Sequence, residues 1–239
     1  MIAFLTSSPF TPGACAFNPA NGFVEELRGC LPNPARVLFV ASYPEDAAHM
    51  DQFAGDVRVA MEGCGIQVAS LSVLDDRTRG AAESLVHEAD CIVLAGGHVP
   101  TQNRFFTEIN LREKLHGYGG VVIGISAGSM NSAEIVYVQP EEAGEALDPG
   151  FVRFTPGLGL TRTQLLPHYQ MVKDNILDGM RLFEDITFGD SMGHCFTVLV
   201  DGSYLLLREG REELRGEAYQ IRDGVMEKIC GEGESVEIP

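Results

Sequence analysis

The chain alternates short, wholly apolar runs with longer stretches whose apolar positions recur every three or four residues. "ARVLFVAS" (35–42) and "GIQVASLSVL" (65–74) read as strands. Between them, "PEDAAHMDQFAGDVRVAMEGCG" shows helical spacing and ends in glycines. A second round follows: "ADCIVLAGG" (89–97) as strand, "TQNRFFTEINLREKLHGYGG" as helix, and "VVIGIS" as strand. Strands apolar on both faces and separated by helices predict an α/β fold, with a mostly parallel sheet flanked by helices on both faces. The C-terminal part changes character. "HCFTVLVDGSYLLLREG" predicts a β-hairpin through Asp201-Gly202, and "EAYQIRDGVMEKIC" a second through Asp223-Gly224. Both are expected as antiparallel additions at one sheet edge. No repeat, low-complexity stretch or Pro/Gly/Ser-rich linker interrupts the pattern, so residues 1–239 are expected to form a single domain.

Composition narrows the partners. A net charge of −17, from 34 acidic against 17 basic side chains, repels nucleic acid and anionic membrane surfaces, so neither is an expected partner. The six cysteines (Cys15, Cys30, Cys64, Cys91, Cys195, Cys230) form no C-x-x-C pair, and several lie in apolar runs; reduced thiols are expected rather than a disulfide framework. "MIAFLTSSPF" lacks the basic start of a signal peptide, and no run approaches the roughly 18 apolar residues of a membrane span. A cytoplasmic location is the expectation.

The candidate chemistry begins at "GISAGSM" (124–130). Gly124, Ser126 and Gly128 match G-x-S-x-G, the nucleophile elbow, directly after an apolar strand. Such a turn holds the serine in an unfavourable backbone conformation, and its flanks must be small to clear the neighbouring chain. The serine oxygen then projects beyond the carboxyl edge of the sheet, where open α/β folds bind ligands. Serine needs a base, normally histidine. His49 and His87 fall in helical patterns, His116 sits near a helix end and His194 begins a strand. His168, in "QLLPHYQ", follows an apolar run at the same sheet edge as the elbow; His98, in "LAGGHVP", is the second candidate. An oxyanion formed there needs backbone N–H donors. Ala127 supplies one with the elbow, and the Gly96-Gly97 turn is a candidate for the other.

Taken together, a strand ending in Gly-Gly, then "GISAGSMNSA", then "GLGL" ahead of "PHYQ" resembles the S51 serine peptidases, a family that includes dipeptidase E and cyanophycinase. The resemblance spans roughly residues 35 to 190. It implies a fold like that of class I glutamine amidotransferases, with Ser126 as nucleophile, His168 as general base, and Gly97 and Ala127 as oxyanion donors. It also implies an acidic triad member fifteen to eighteen residues after the serine. That window reads "EEAGE"; Glu141 fits the shorter spacing, with Glu142 and Glu145 as competitors. Where dipeptidase E carries a glycine-rich segment with an arginine that recognises an aspartyl side chain, this chain has "YQMVKDNILDGMR", and "GGH" stands where "GGN" is usual.

The resulting expectation is a serine exopeptidase that hydrolyses small peptides, as dipeptidase E does, through an acyl-enzyme. No metal or cofactor is called for, and a homodimer is expected by analogy. Two other readings stand beside it: an esterase or amidase of the α/β-hydrolase type, on G-x-S-x-G alone, and a catalytically silent binding module that keeps the elbow as a fold junction.

Overall fold

A computed structural model describes residues 1–238. The apolar runs become five strands: β1 (Ile2–Thr6), β2 (Ala35–Val40), β3 (Val68–Leu74), β4 (Cys91–Leu94) and β5 (Val121–Ile125). Every residue of β4 and β5 is buried, as befits strands covered on both faces. All five lie parallel in the order β1-β5-β4-β2-β3.

The helices between them follow their own periodicity. In α2 (Ala47–Gly63), Met50, Ala54, Val57, Ala60 and Met61 are buried, one apolar face at three- and four-residue steps. Asp46 caps its first turn by accepting the His49 N–H at 3.1 Å. The stretch read as one helix after β4 is two, α4 (Val99–Glu108) and α5 (Leu111–Lys114). Asn110 between them has φ 52°, a left-handed conformation that a helix cannot pass through. Phe23 and Leu27 of α1 (Phe23–Cys30) and Val86 of α3 (Ala82–Glu88) join the same core as the strands.

After β5 come a four-residue helical turn, α6 (Ala127–Met130), and two small ribbons. The first pairs β6 (Ile135–Tyr137) with β7 (Phe154–Pro156); the second pairs β9 (Ile176–Leu177) with β10 (Met180–Arg181). Between the ribbons lie β8 (Gln164–Leu166) and α7 (Tyr169–Val172). The remaining strands are β11 (Cys195–Leu199), β12 (Tyr204–Arg208), β13 (Arg211–Arg215), β14 (Ala218–Arg222), β15 (Val225–Cys230) and β16 (Ser235–Ile238).

The two expected hairpins part company here. β14 and β15 do form one, with Arg222 opposite Val225 across Asp223-Gly224, both at positive φ as a tight two-residue turn requires. β11 and β12 do not pair. β12 joins the large sheet antiparallel to β1 and is followed outward by β13 and β16, whereas β11 lies between β8 and β14 in a separate four-stranded sheet. Asp201-Gly202 is therefore a crossing from one sheet to the other. A second apolar cluster, with Met130, Leu166, Phe183, Phe196 and Ile221, supports the smaller sheet. No helix among the described residues is long and apolar enough to cross a membrane.

Candidate active site

The turn after β5 has the geometry its sequence implies. Ser126 sits at φ 49°, ψ −109°, a conformation that costs an ordinary side chain on the order of 1–3 kcal/mol and persists only where its surroundings enforce it. The enforcement is visible. The Ser126 N–H points back to the Thr6 and Ser7 carbonyls, each at 3.1 Å. A Cβ at Gly124 would lie 2.8 Å from the Ser129 hydroxyl, and one at Gly128 would collide with the Leu94 carbonyl. Both glycines of the motif are thus demanded by packing. Gly97, φ 155°, is equally confined: a Cβ there would come within 2.5 Å of the Ser42 hydroxyl and 2.8 Å of the Tyr43 ring.

His168 follows β8 and Pro167 at φ 61°. Its Nδ1 lies 2.7 Å from Oδ1 of Asp201, at the crossing between the two sheets. Burial alone would raise the Asp201 pKa, but hydrogen bonds from His168, Ser7 and Gln170 and the charge of His168 together hold it below the ordinary carboxylate value. An ionised carboxylate can only accept, so Nδ1 carries the proton and Nε2 is left as the basic nitrogen of the neutral ring. No protein group among the described residues hydrogen-bonds to that Nε2.

Ser7, fully buried at the end of β1, ties these parts together. Its hydroxyl accepts the His168 backbone N–H at 2.7 Å and donates to Asp201 Oδ1 at 2.7 Å, while its carbonyl receives the Ser126 N–H. Three segments distant in sequence are thereby held by one residue, two through its hydroxyl and one through its carbonyl.

Ser126, His168, Gly97 and Glu141 line one cavity of about 230 Å³, walled chiefly by Val99, Met130, Val172, Ile176, Leu177 and Leu182, with the amides Gln139 and Asn175 among them. A wider cleft of about 1290 Å³ opens where Ile2, Asp90 and Val121 lie, but its one serine, Ser84, donates its hydroxyl to the Ala81 carbonyl. Chemistry rather than volume singles out the smaller cavity.

The three glutamates considered for the acid lie elsewhere. Glu141 accepts the Val99 N–H through Oε1 at 3.1 Å and does not hydrogen-bond His168. Desolvation, with the repulsion of Glu145 and Glu142 added, raises its pKa against the opposing pull of Val99 and His98. Glu145 pairs with the other candidate base: its Oε1 is 2.9 Å from His98 Nε2, and its Oε2 accepts the N–H groups of Glu141 and Glu142 at 2.8 and 2.9 Å. Glu142 is exposed. The spacing argument fails because the acid beside His168 comes from Asp201, 33 residues after the histidine and on another sheet connection. Sequence reading also passed over Ser7. For Asp201 the available signal is an Asp-Gly step between two apolar runs, which by itself indicates only a turn.

His98, Glu142 and Glu145 each offer a ligand atom within 4.8 Å of the others, a spacing a cation could bridge. Direct pairing already occupies His98 Nε2 and both oxygens of Glu145, so the group serves as a loop fastening.

Comparison with known proteins agrees with this architecture. Among solved structures, a peptidase from an acI-B1 Actinobacterium superposes with a TM-score of 0.69 at 18% identity, covering 99% of this chain and 96% of that one. A protein described as a peptidase E, from Listeria monocytogenes EGD-e, gives 0.59 at 17% identity, covering 95% and 98%. At such identities the likeness speaks to the fold. No curated protein matches the chain. The model of peptidase family S51 matches residues 4–213, most of the sequence and all of the cavity's catalytic-type side chains. With the large parallel sheet, the strained serine and the histidine–aspartate pair in place, the chain belongs to peptidase family S51.

Proposed function

We propose that this protein is a serine exopeptidase acting on small peptides through an acyl-enzyme, with Ser126 as nucleophile, His168 as general base and Asp201 as the group that orients and charges the imidazole. The observation that carries the reading is the 2.7 Å contact of Asp201 with Nδ1 of His168, a residue that lines one cavity with Ser126. His168 Nε2 takes the Ser126 proton as Oγ attacks the scissile carbonyl. Asp201 stabilises the imidazolium without accepting the proton itself. The N–H groups of Gly97 and Ala127 receive the oxyanion, the imidazolium protonates the leaving amine, and water then reverses the steps to free the acid.

The size of the cavity supports a small substrate, since 230 Å³ lies below the roughly 300–1,000 Å³ of pockets that engulf drug-sized ligands. Chain order weighs against an α/β-hydrolase, whose sequence runs nucleophile, acid, histidine; here the histidine precedes the acid. The six free thiols support work in a reducing compartment such as the cytoplasm.

A phosphonofluoridate tests the proposal. Intact-mass and peptide spectra should place one adduct on Ser126, and Ser126→Ala should lower dipeptide turnover at least roughly 10⁴-fold. An adduct elsewhere, or turnover that survives the substitution, overturns it.

A further inference from the structure

The serine exopeptidase reading of this site leaves the substrate residue open, and the cavity walls address it. We infer that the cavity takes the N-terminal residue of a small peptide whose side chain is apolar, with its free α-ammonium group held by the Glu141 carboxylate.

Three observations converge on this. Six of the side chains beside Ser126 and His168 are aliphatic or thioether, against two neutral amides, Asn175 and Gln139, the latter already donating to the Thr187 hydroxyl at 2.7 Å, so an apolar substrate side chain gains by leaving water there. No lysine or arginine lines the cavity among the described residues. Arg181, the arginine of the segment that follows His168, is engaged by Asp185 through Nη2–Oδ1 at 2.6 Å and Nε–Oδ2 at 3.0 Å. An aspartyl or glutamyl side chain would therefore be desolvated without a counter-charge and beside a carboxylate.

The third observation is Glu141 itself. Its Oε1 is held by the buried Val99 N–H, and its Oε2 accepts no protein hydrogen bond among the described residues. Glu145, fastened to His98, fixes the Glu141 backbone through its N–H. The carboxylate is thus held in place on the cavity wall with one oxygen unpartnered. The α-nitrogen of a peptide's first residue stands only two bonds from the scissile carbonyl carbon, so an ammonium anchor must share a compartment with the nucleophile, as Glu141 does with Ser126.

The test compares four substrates on the purified protein: Leu-Ala, Met-Ala, Asp-Ala, and the Leu-Ala analogue with hydrogen in place of the α-amino group. Leu-Ala and Met-Ala should exceed Asp-Ala in kcat/KM by roughly 100-fold or more, and removing the amine should cost roughly 10- to 100-fold, the scale of a charge-assisted hydrogen bond. In Glu141→Gln, KM for Leu-Ala should rise by a similar factor, and the advantage of the amine over its deaminated analogue should collapse. Preference for Asp-Ala, an amine advantage unchanged in Glu141→Gln, or no turnover of any free-amino apolar dipeptide by a protein that still labels at Ser126 would each overturn the inference. Failure of the label marks failure of the exopeptidase reading instead.

Discussion

Two histidine–carboxylate pairs stand at the same edge of this molecule, and they are built for different work. His168 reaches Asp201 through Nδ1 alone, so one ring nitrogen stays open to the cavity that holds Ser126. His98 is engaged at both nitrogens, Nδ1 with Thr101 at 2.8 Å and Nε2 with Glu145 at 2.9 Å. The second pair therefore has no vacant nitrogen for a proton in transit. It anchors a loop instead: the same Glu145 gathers the N–H groups of Glu141 and Glu142. A close histidine–carboxylate contact is thus not itself a mark of acid–base chemistry; the nitrogen left over decides.

The sharpest way to break the contrast is to substitute each acid by its amide. Asp201→Asn should lower kcat for a dipeptide by roughly 10³- to 10⁴-fold, because an amide can favour the wrong imidazole tautomer. Glu145→Gln should lower it by less than about 10-fold, chiefly through KM. Steady-state kinetics on the two variants side by side check this, and a reversal of the ranking would exchange the roles of the two pairs.

A smaller effect is expected at Ser7. Ser7→Ala removes the acceptor of the His168 N–H and a donor to Asp201, leaving partly buried polar groups unpaired at a cost of about 1–3 kcal/mol. kcat should fall roughly 10-fold, and the melting temperature should drop by about 2–4 °C per kcal/mol lost. Ser7→Thr, which keeps the hydroxyl, should recover part of the rate; equal loss in both variants would point to packing alone.

The smallest effects are in stability against pH. The Asp201 pKa is lowered on folding, so its ionisation stabilises the folded protein above the unfolded carboxylate value, and the contribution disappears as acid titrates the folded form. Urea unfolding of wild type and Asp201→Asn should accordingly differ at pH 7 and converge below about pH 4. Glu141 has the opposite sign, its ionisation being disfavoured by folding. Glu141→Gln should unfold at an equal or higher urea concentration at pH 7, and a clear loss of stability there would contradict the strained-anion description.

Much of this was legible in the chain because it depends on near neighbours. Both-face apolar runs such as "CIVL" and "VVIGI" signal parallel strands. Gly124 and Gly128 flank a serine whose turn has no room for side chains, and His168 follows a buried strand and a proline. What escaped depends on distant partners. Asp-Gly between apolar strands is the strongest local hairpin signal, and at Asp223-Gly224 it held. At Asp201-Gly202 the same signal failed, because β12 finds β1, some two hundred residues earlier, and β11 finds β8. Choice of strand partner is a tertiary property, and with it went the carboxylate that meets His168. Glu141 was singled out by spacing from the serine, yet the carboxylate that meets an imidazole is set by where sheets converge.

That crossing between sheets has a further bearing. Ser7 and Ser126 directly follow strands of the large sheet, His168 follows a strand of the small one, and Asp201 lies on the connection between them. The constellation exists only while the two sheets are docked, over a cluster of apolar side chains separate from the main core. Partial opening of the small sheet would disperse the groups proposed for catalysis while the parallel strands stayed intact, for proteins open in sub-global units well before they unfold as a whole. On the proposed mechanism, peptidase activity in this molecule is therefore coupled to its least extensive interior, and a loosened copy would be silenced before it is denatured.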